Sequence, residues 1–180
     1  IRNIAVGTSA MASNSSGTSN CALGWNAMYF NTTGTNNIAV GYQALYANST
    51  GQYNVGIGTG ALGTNTVASD NTAVGYQALA NANRTADTAG WNTAIGFQAG
   101  GGVTTGQSNT FLGHGAGVGL TTASNVTFLG KNAAANLTTG NNGVYVGYDI
   151  TAGSAGANFE IVIGGGSTGK GTQTAFLNPG

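Results

Sequence analysis

Asn71-Thr72-Ala73-Val74-Gly75-Tyr76-Gln77-Ala78-Leu79 decides the fold, because the chain writes this sentence many times over. Asn37-Ile38-Ala39-Val40-Gly41-Tyr42-Gln43-Ala44-Leu45 is the same stretch two periods earlier, followed by a polar segment ending near Gly51. Aligned on the glycine that follows a branched aliphatic, the anchors are Gly7, Gly24, Gly41, Gly58, Gly75, Gly96, Gly113, Gly130, Gly147 and Gly164. Each step is 17 residues except Gly75 to Gly96, which is 21, so ten units carry one four-residue insertion. Such a period identifies a stacked repeat array rather than an ordinary globular domain.

Other columns keep the same period. Four before the anchor stand Asn3, Asn20, Asn37, Asn54, Asn71, Asn92 and Asn109, and Asn14, Asn31, Asn48 and Asn65 form a second column in the turn. One before the anchor is always Val, Ile or Leu, and three after it is Ala in the first eight units. The last three units drift, as capping units do.

Apolar residues alternate with period two before each anchor and never recur with helical spacing, which predicts a short strand per unit. A second extended piece is expected around Ala44 to Ala47, with turns of Asn, Ser, Thr and Gly between. Seventeen residues are too few for a βαβ unit and enough for one coil of a parallel β-solenoid. The fold class is therefore all-β, a parallel solenoid or roll of about ten coils over 1–164, on the order of 45 Å long, with 165–180 as a degenerate capping or linking segment. Ile38 and Val40 are expected to fill a narrow core, leaving the Ala39 and Gly41 side as a flat small-residue face that a second copy must cover.

Composition narrows the function. Only 4% of the 180 residues are charged, four Lys+Arg balance four Asp+Glu, and 33 are glycine. Arg2, Arg84, Lys131 and Lys170 are too scattered to neutralise a nucleic-acid backbone. No apolar run approaches a membrane helix, and the single Cys21 rules out an internal disulfide framework; it is expected to be a small buried core residue.

The acid–base inventory is equally short: Asp70, Asp87, Asp149, Glu160 and His114. His114 takes the post-anchor position held elsewhere by Trp25, Tyr42, Tyr76, Phe97 and Tyr148, so it is expected to be a ladder member rather than a base. Gly164 to Gly169 matches GxGxxG, but no helix pattern follows; Gly171 also stands where a Walker loop needs Ser or Thr. Three aspartates cannot serve ten calcium-binding repeats. Neither cofactor nor metal is expected, nor an enzyme. Ice binding wants a flat threonine column, and Thr72, Thr93, Thr110 and Thr127 make one, but in the register assigned to the core.

Two features suit a receptor. The aromatic column of Trp25, Tyr42, Tyr76 and Phe97 could stack on sugar faces, with Asn26, Gln43, Gln77 and Gln98 bonding hydroxyls, or could pack between chains instead. The insertion, 80–89, breaks the array and must bulge, which makes Arg84 and Asp87, with Trp91 beyond them, further candidates.

The Asn71–Leu79 run and its relatives resemble the NTAVGYQAL repeats of bacteriophage tail fibres, many of which end in an endosialidase-type intramolecular chaperone. The strand-plus-glycine core is also similar to the NSVAIG repeat of YadA-type trimeric autotransporter heads. The closing Glu160-Ile161-Val162-Ile163-Gly164 and Gly169-Lys170-Gly171-Thr172 resemble the tail-fibre segment that follows such arrays, with an eleventh strand starting near Thr174. The resemblance implies an extracellular homotrimeric fibre segment of a virion tail fibre, used in host attachment through a surface polysaccharide or protein receptor. A bacterial trimeric surface adhesin or self-assembling filament subunit is the alternative. Beginning inside a repeat and closing on Pro179-Gly180, the chain reads as a piece of something longer.

Overall fold

The computed structural model describes residues 2–83 and 89–177. Among the described residues eleven three-residue strands form one parallel sheet in strict chain order: Ile4–Val6 (β1), Cys21–Leu23 (β2), Ile38–Val40 (β3), Val55–Ile57 (β4), Thr72–Val74 (β5), Thr93–Ile95 (β6), Thr110–Leu112 (β7), Thr127–Leu129 (β8), Val144–Val146 (β9), Ile161–Ile163 (β10) and Ala175–Leu177 (β11). Each strand pairs with its equivalent one coil on, Ala39 against Gly56 and Ala73 against Ala94, so the chain is an all-β parallel solenoid. The β5–β6 register survives the insertion, since Thr72 still meets Thr93. A three-residue strand cannot hold itself together; its stability comes from the coils on either side.

The direction of the side chains is the reverse of the expectation. Ala39 is fully buried while Ile38 is 42% exposed, and the same holds for Ala94 against Ile95. The coil is too narrow for two branched side chains per strand. Its lumen takes one residue from the strand centre and one from the turn four after the anchor, where Met28, Leu45, Leu62 and Leu79 are buried. The two columns trade volume. In coils two to six the strand centre is Ala22, Ala39, Gly56, Ala73 or Ala94, each following Met11, Met28, Leu45, Leu62 or Leu79 in the turn of the coil before; in the next three it is Phe111, Phe128 and Tyr145, following Gly100, Gly117 and Ala134. The three rings stack at 5.3 Å with planes within 10°, close to the strand spacing that carries them.

No second strand forms around Ala44 to Ala47, which is turn throughout. Gln43 and Leu45 have φ of 54° and 50°, and the alternation of left-handed and ordinary residues curls the chain where a strand would run straight. The turn still pairs with the next coil, Leu45 N–H donating to the Ala61 carbonyl at 2.9 Å and Ala47 N–H to Gly63 at 3.1 Å.

Buried amides close the roll. Asn54 N–H donates to Asn37 Oδ1 at 2.9 Å, and the Asn54 amide donates to the Ala68 carbonyl at 2.9 Å, so each Asn ties its own coil to the one before. Across the insertion Asn92 N–H reaches Asn71 Oδ1 at 3.2 Å. The second ladder runs Asn31 to Asn14, Asn48 to Asn31 and Asn65 to Asn48 at 2.8–3.0 Å. It stops at Asn65, whose buried Oδ1 has no partner among the described residues because Ala82 stands where the next amide would donate. Beyond that point the column turns apolar, through Val103, Leu120 and Leu137. Cys21, in the outward column, is half-buried rather than a core residue.

Candidate functional site

The outward face of the sheet is the first candidate surface. Ile4, Val6, Leu23, Ile38, Ile57 and Ile95 are each at least 37% exposed, and Leu112, Leu129, Ile161 and Ile163 continue them toward the C-terminus. Thr72, Thr93, Thr110 and Thr127 pair in register along β5–β8 on this same face, three before their anchors. These positions point out of the roll and not into its core, so the threonines are available as a surface.

The aromatic column follows directly after the anchors and is interrupted at Thr59. Trp25 meets Tyr42 edge-on at 5.3 Å, and Tyr76, Phe97 and His114 stack at 5.0 and 4.9 Å. His114 thus continues a ring stack. Of the sequence candidates, the structure brings Trp25 to Tyr42 and Tyr76 to Phe97; Trp91, 60% exposed, lies beyond the other end of β6. Arg84 and Asp87 fall outside the described residues.

Sequence reading named Gln43, Gln77 and Gln98 but missed the groove they line, formed by the columns two and five after the anchors. The first holds Gln43, Gly60, Gln77 and Gln98, and the second holds Tyr29, Tyr46, Gly63, Ala80 and Gly101. Tyr29 and Tyr46 stack at 5.7 Å, with Phe30 edge-on to both. In the fourth coil both columns become glycine, and a recess of about 290 Å³ opens, walled by Gln43, Tyr46, Thr64, Gln77 and Asn81. A second, of about 270 Å³, shares Gln77 and Asn81 with it and extends to Gln98 and Gly101. The signal was present in the paired glycines Gly60 and Gly63, at positions where neighbouring coils carry Gln and Tyr.

Glu160 holds the Asn-ladder position of the tenth coil and is fully buried. One carboxylate oxygen accepts from Gly171 N–H at 2.6 Å; the other accepts from Gly153 N–H at 3.0 Å and the Tyr145 hydroxyl at 3.1 Å. Three donors converging on one buried carboxylate make this a structural tie between the last coils. Burial first, and the Glu160 charge second, hold the Tyr145 phenol well above its ordinary value of 10.0. A raised phenol pKa leaves stability intact below about pH 10 and removes it as pH climbs above that. Glu160→Gln is expected to cost about 1–3 kcal/mol in urea unfolding, because an NH2 then faces one of the N–H donors. Tyr145→Phe should abolish the alkaline loss in melts taken between pH 8 and 11, while the parent chain shows it.

Among the described residues no three of His, Cys, Asp and Glu gather as a metal set. The fold and its surfaces define a parallel β-solenoid repeat protein. No family model, curated protein or solved structure matches the chain.

Proposed function

We propose that this chain is a non-enzymatic segment of an extracellular homotrimeric fibre, most like a phage tail fibre, that holds a host-attachment apparatus away from the particle. The observation that carries this reading is the aliphatic face. Two columns of Ile, Val and Leu, interspersed with Thr and running the length of the sheet, make a strip on the order of 45 Å by 10 Å, at the limit of what a monomer surface leaves bare. A strip two side chains wide, recurring at the same place in every coil, suits packing of parallel copies about a common axis. The threefold order rests on the resemblance to tail fibres and trimeric autotransporter heads. Near-absence of charge and the backbone-dominated stack suit a shaft exposed to proteases outside a cell.

Light scattering tests this directly. The parent chain is expected at three times 17.6 kDa, 52.8 kDa, and Val74→Asp with Ile95→Asp should reduce it to a single chain. Bismaleimide treatment should join Cys21 residues in pairs, leaving the third chain of each trimer unlinked. A folded parent at 17.6 kDa overturns the trimer. The Thr72–Thr127 column would then be an open flat surface, and thermal hysteresis would be the next measurement. A bacterial surface adhesin or filament subunit would use the same face in the same way, and flanking sequence separates it from a phage fibre.

A further inference from the structure

We infer that the groove over coils three to six is a binding site for an uncharged polysaccharide, lying end to end along the solenoid. The inference deepens the attachment reading above and rests on it, but its residues belong to neither aliphatic column. In a regular stack each side chain packs on its equivalent one coil away. Gly60 and Gly63 break two adjoining columns in the same coil, so the recess is floored by backbone and walled by what the neighbouring coils present.

Those walls are amide, hydroxyl and aromatic. Gln98 donates to Gln77 Oε1 at 3.1 Å, and the Asn81 amide donates to the Gly101 carbonyl at 2.8 Å. Gln77 Nε2, Gln98 Oε1, Asn81 Oδ1 and both polar atoms of Gln43 have no partner among the described residues. Donors and acceptors thus both face the groove, as pairing with sugar hydroxyls requires, since a hydroxyl both gives and takes a hydrogen bond. The Tyr46 ring supplies an apolar wall for the C–H face of a sugar. Among the described residues no Asp, Glu, Lys, Arg or His lines either recess, which sets the site against sulfated, phosphorylated or sialylated chains: burying their charge without a counter-charge is unfavourable. The two recesses are two coils apart, about 9–10 Å, a step suited to the disaccharide repeat of an extended glycan.

The test titrates the full chain, after its native mass is measured, with dextran, mannan, galactan and chitohexaose, and with heparin as a charged control. At least one uncharged glycan should bind and shift the side-chain NH2 resonances of Gln43 and Gln77. Gly63→Tyr gives the fourth coil the ring that coils two and three already carry. It should weaken binding at least tenfold while the chain stays folded, the added Cβ meeting the Gly60 carbonyl oxygen at 3.1 Å; Gln43→Ala, which leaves the backbone untouched, should weaken it severalfold at unchanged melting temperature. Binding by none of the four, binding indifferent to both variants, or preference for heparin overturns the inference. A 52.8 kDa chain that binds nothing removes the groove and leaves the trimer, whereas a 17.6 kDa chain that binds keeps the groove and removes the trimer.

Discussion

Replacing Gly96 by alanine is expected to break the array at its sixth coil, with a loss of at least 3–5 kcal/mol from the strain and overlap terms together. Gly96 has φ of 137°, a region that L side chains rarely adopt. A Cβ there would also lie 2.5 Å from the Gly113 carbonyl oxygen and 2.7 Å from its carbon. Both atoms are backbone of the next coil, so neither can swing aside as a side chain would. The coil spacing is fixed by the strand ladder, and relieving the overlap means prising β6 from β7. Because each coil touches only its neighbours, the lost interface uncouples the two halves instead of weakening the whole evenly. Denaturant unfolding should change from one transition to two, and hydrogen exchange should accelerate first at Gly113 and His114. Thr59→Ala, at an outward position in the aromatic column, is the control and should stay within about 0.5 kcal/mol. A Gly96→Ala chain that loses less than about 1 kcal/mol would show that the coils slide apart freely.

The same anchor glycines made the repeat legible in the sequence, because a position that tolerates no side chain is written the same way in all ten units. Strand positions, the Asn columns and the register across the insertion were readable for a related reason: each is a contact of a residue with its own equivalent. Orientation was not readable from alternation, which separates Ile38 and Val40 from Ala39 without saying which side is inside. Lumen width decides that, and it is set by the turn residues on the far wall. A pairwise reading would have found it, since Ala73 follows Leu62 in the turn of the coil before, whereas Phe111 follows Gly100. The curled turn was hidden for the opposite reason. Gln43, Leu45 and Leu62 carry no sign that they hold φ near 50°, a conformation glycine or asparagine would advertise. The groove escaped because it is an absence of side chains at Gly60 and Gly63, and 33 glycines bury such a signal.

Phe111→Ala is expected to destabilise the chain by about 3–5 kcal/mol, and the size trade between strand centre and turn predicts which second change repairs it. Phe111 is fully buried and its ring packs face to face on Phe128. Room for it exists because a Cβ on Gly100 would come within 2.8 Å of the ring and one on Gly117 within 2.5 Å. Removing the ring leaves a cavity between two glycines that have nothing to collapse with. Gly100→Leu alone should also destabilise, by overpacking against Phe111. The backbone at Gly100 has φ of 58°, and leucines at the equivalent Leu45, Leu62 and Leu79 hold 48–52°, so the column accepts leucine without new strain. Combining the two changes recreates the Ala-with-Leu pairing of the preceding coils. The double variant should therefore be more stable than Phe111→Ala by at least about 1–2 kcal/mol, a coupling of the size that contacting core residues show. Urea unfolding of the four chains measures it. Additive losses would mean that the two columns do not share one volume, and that the Phe and Leu halves of the core were assembled on different backbones.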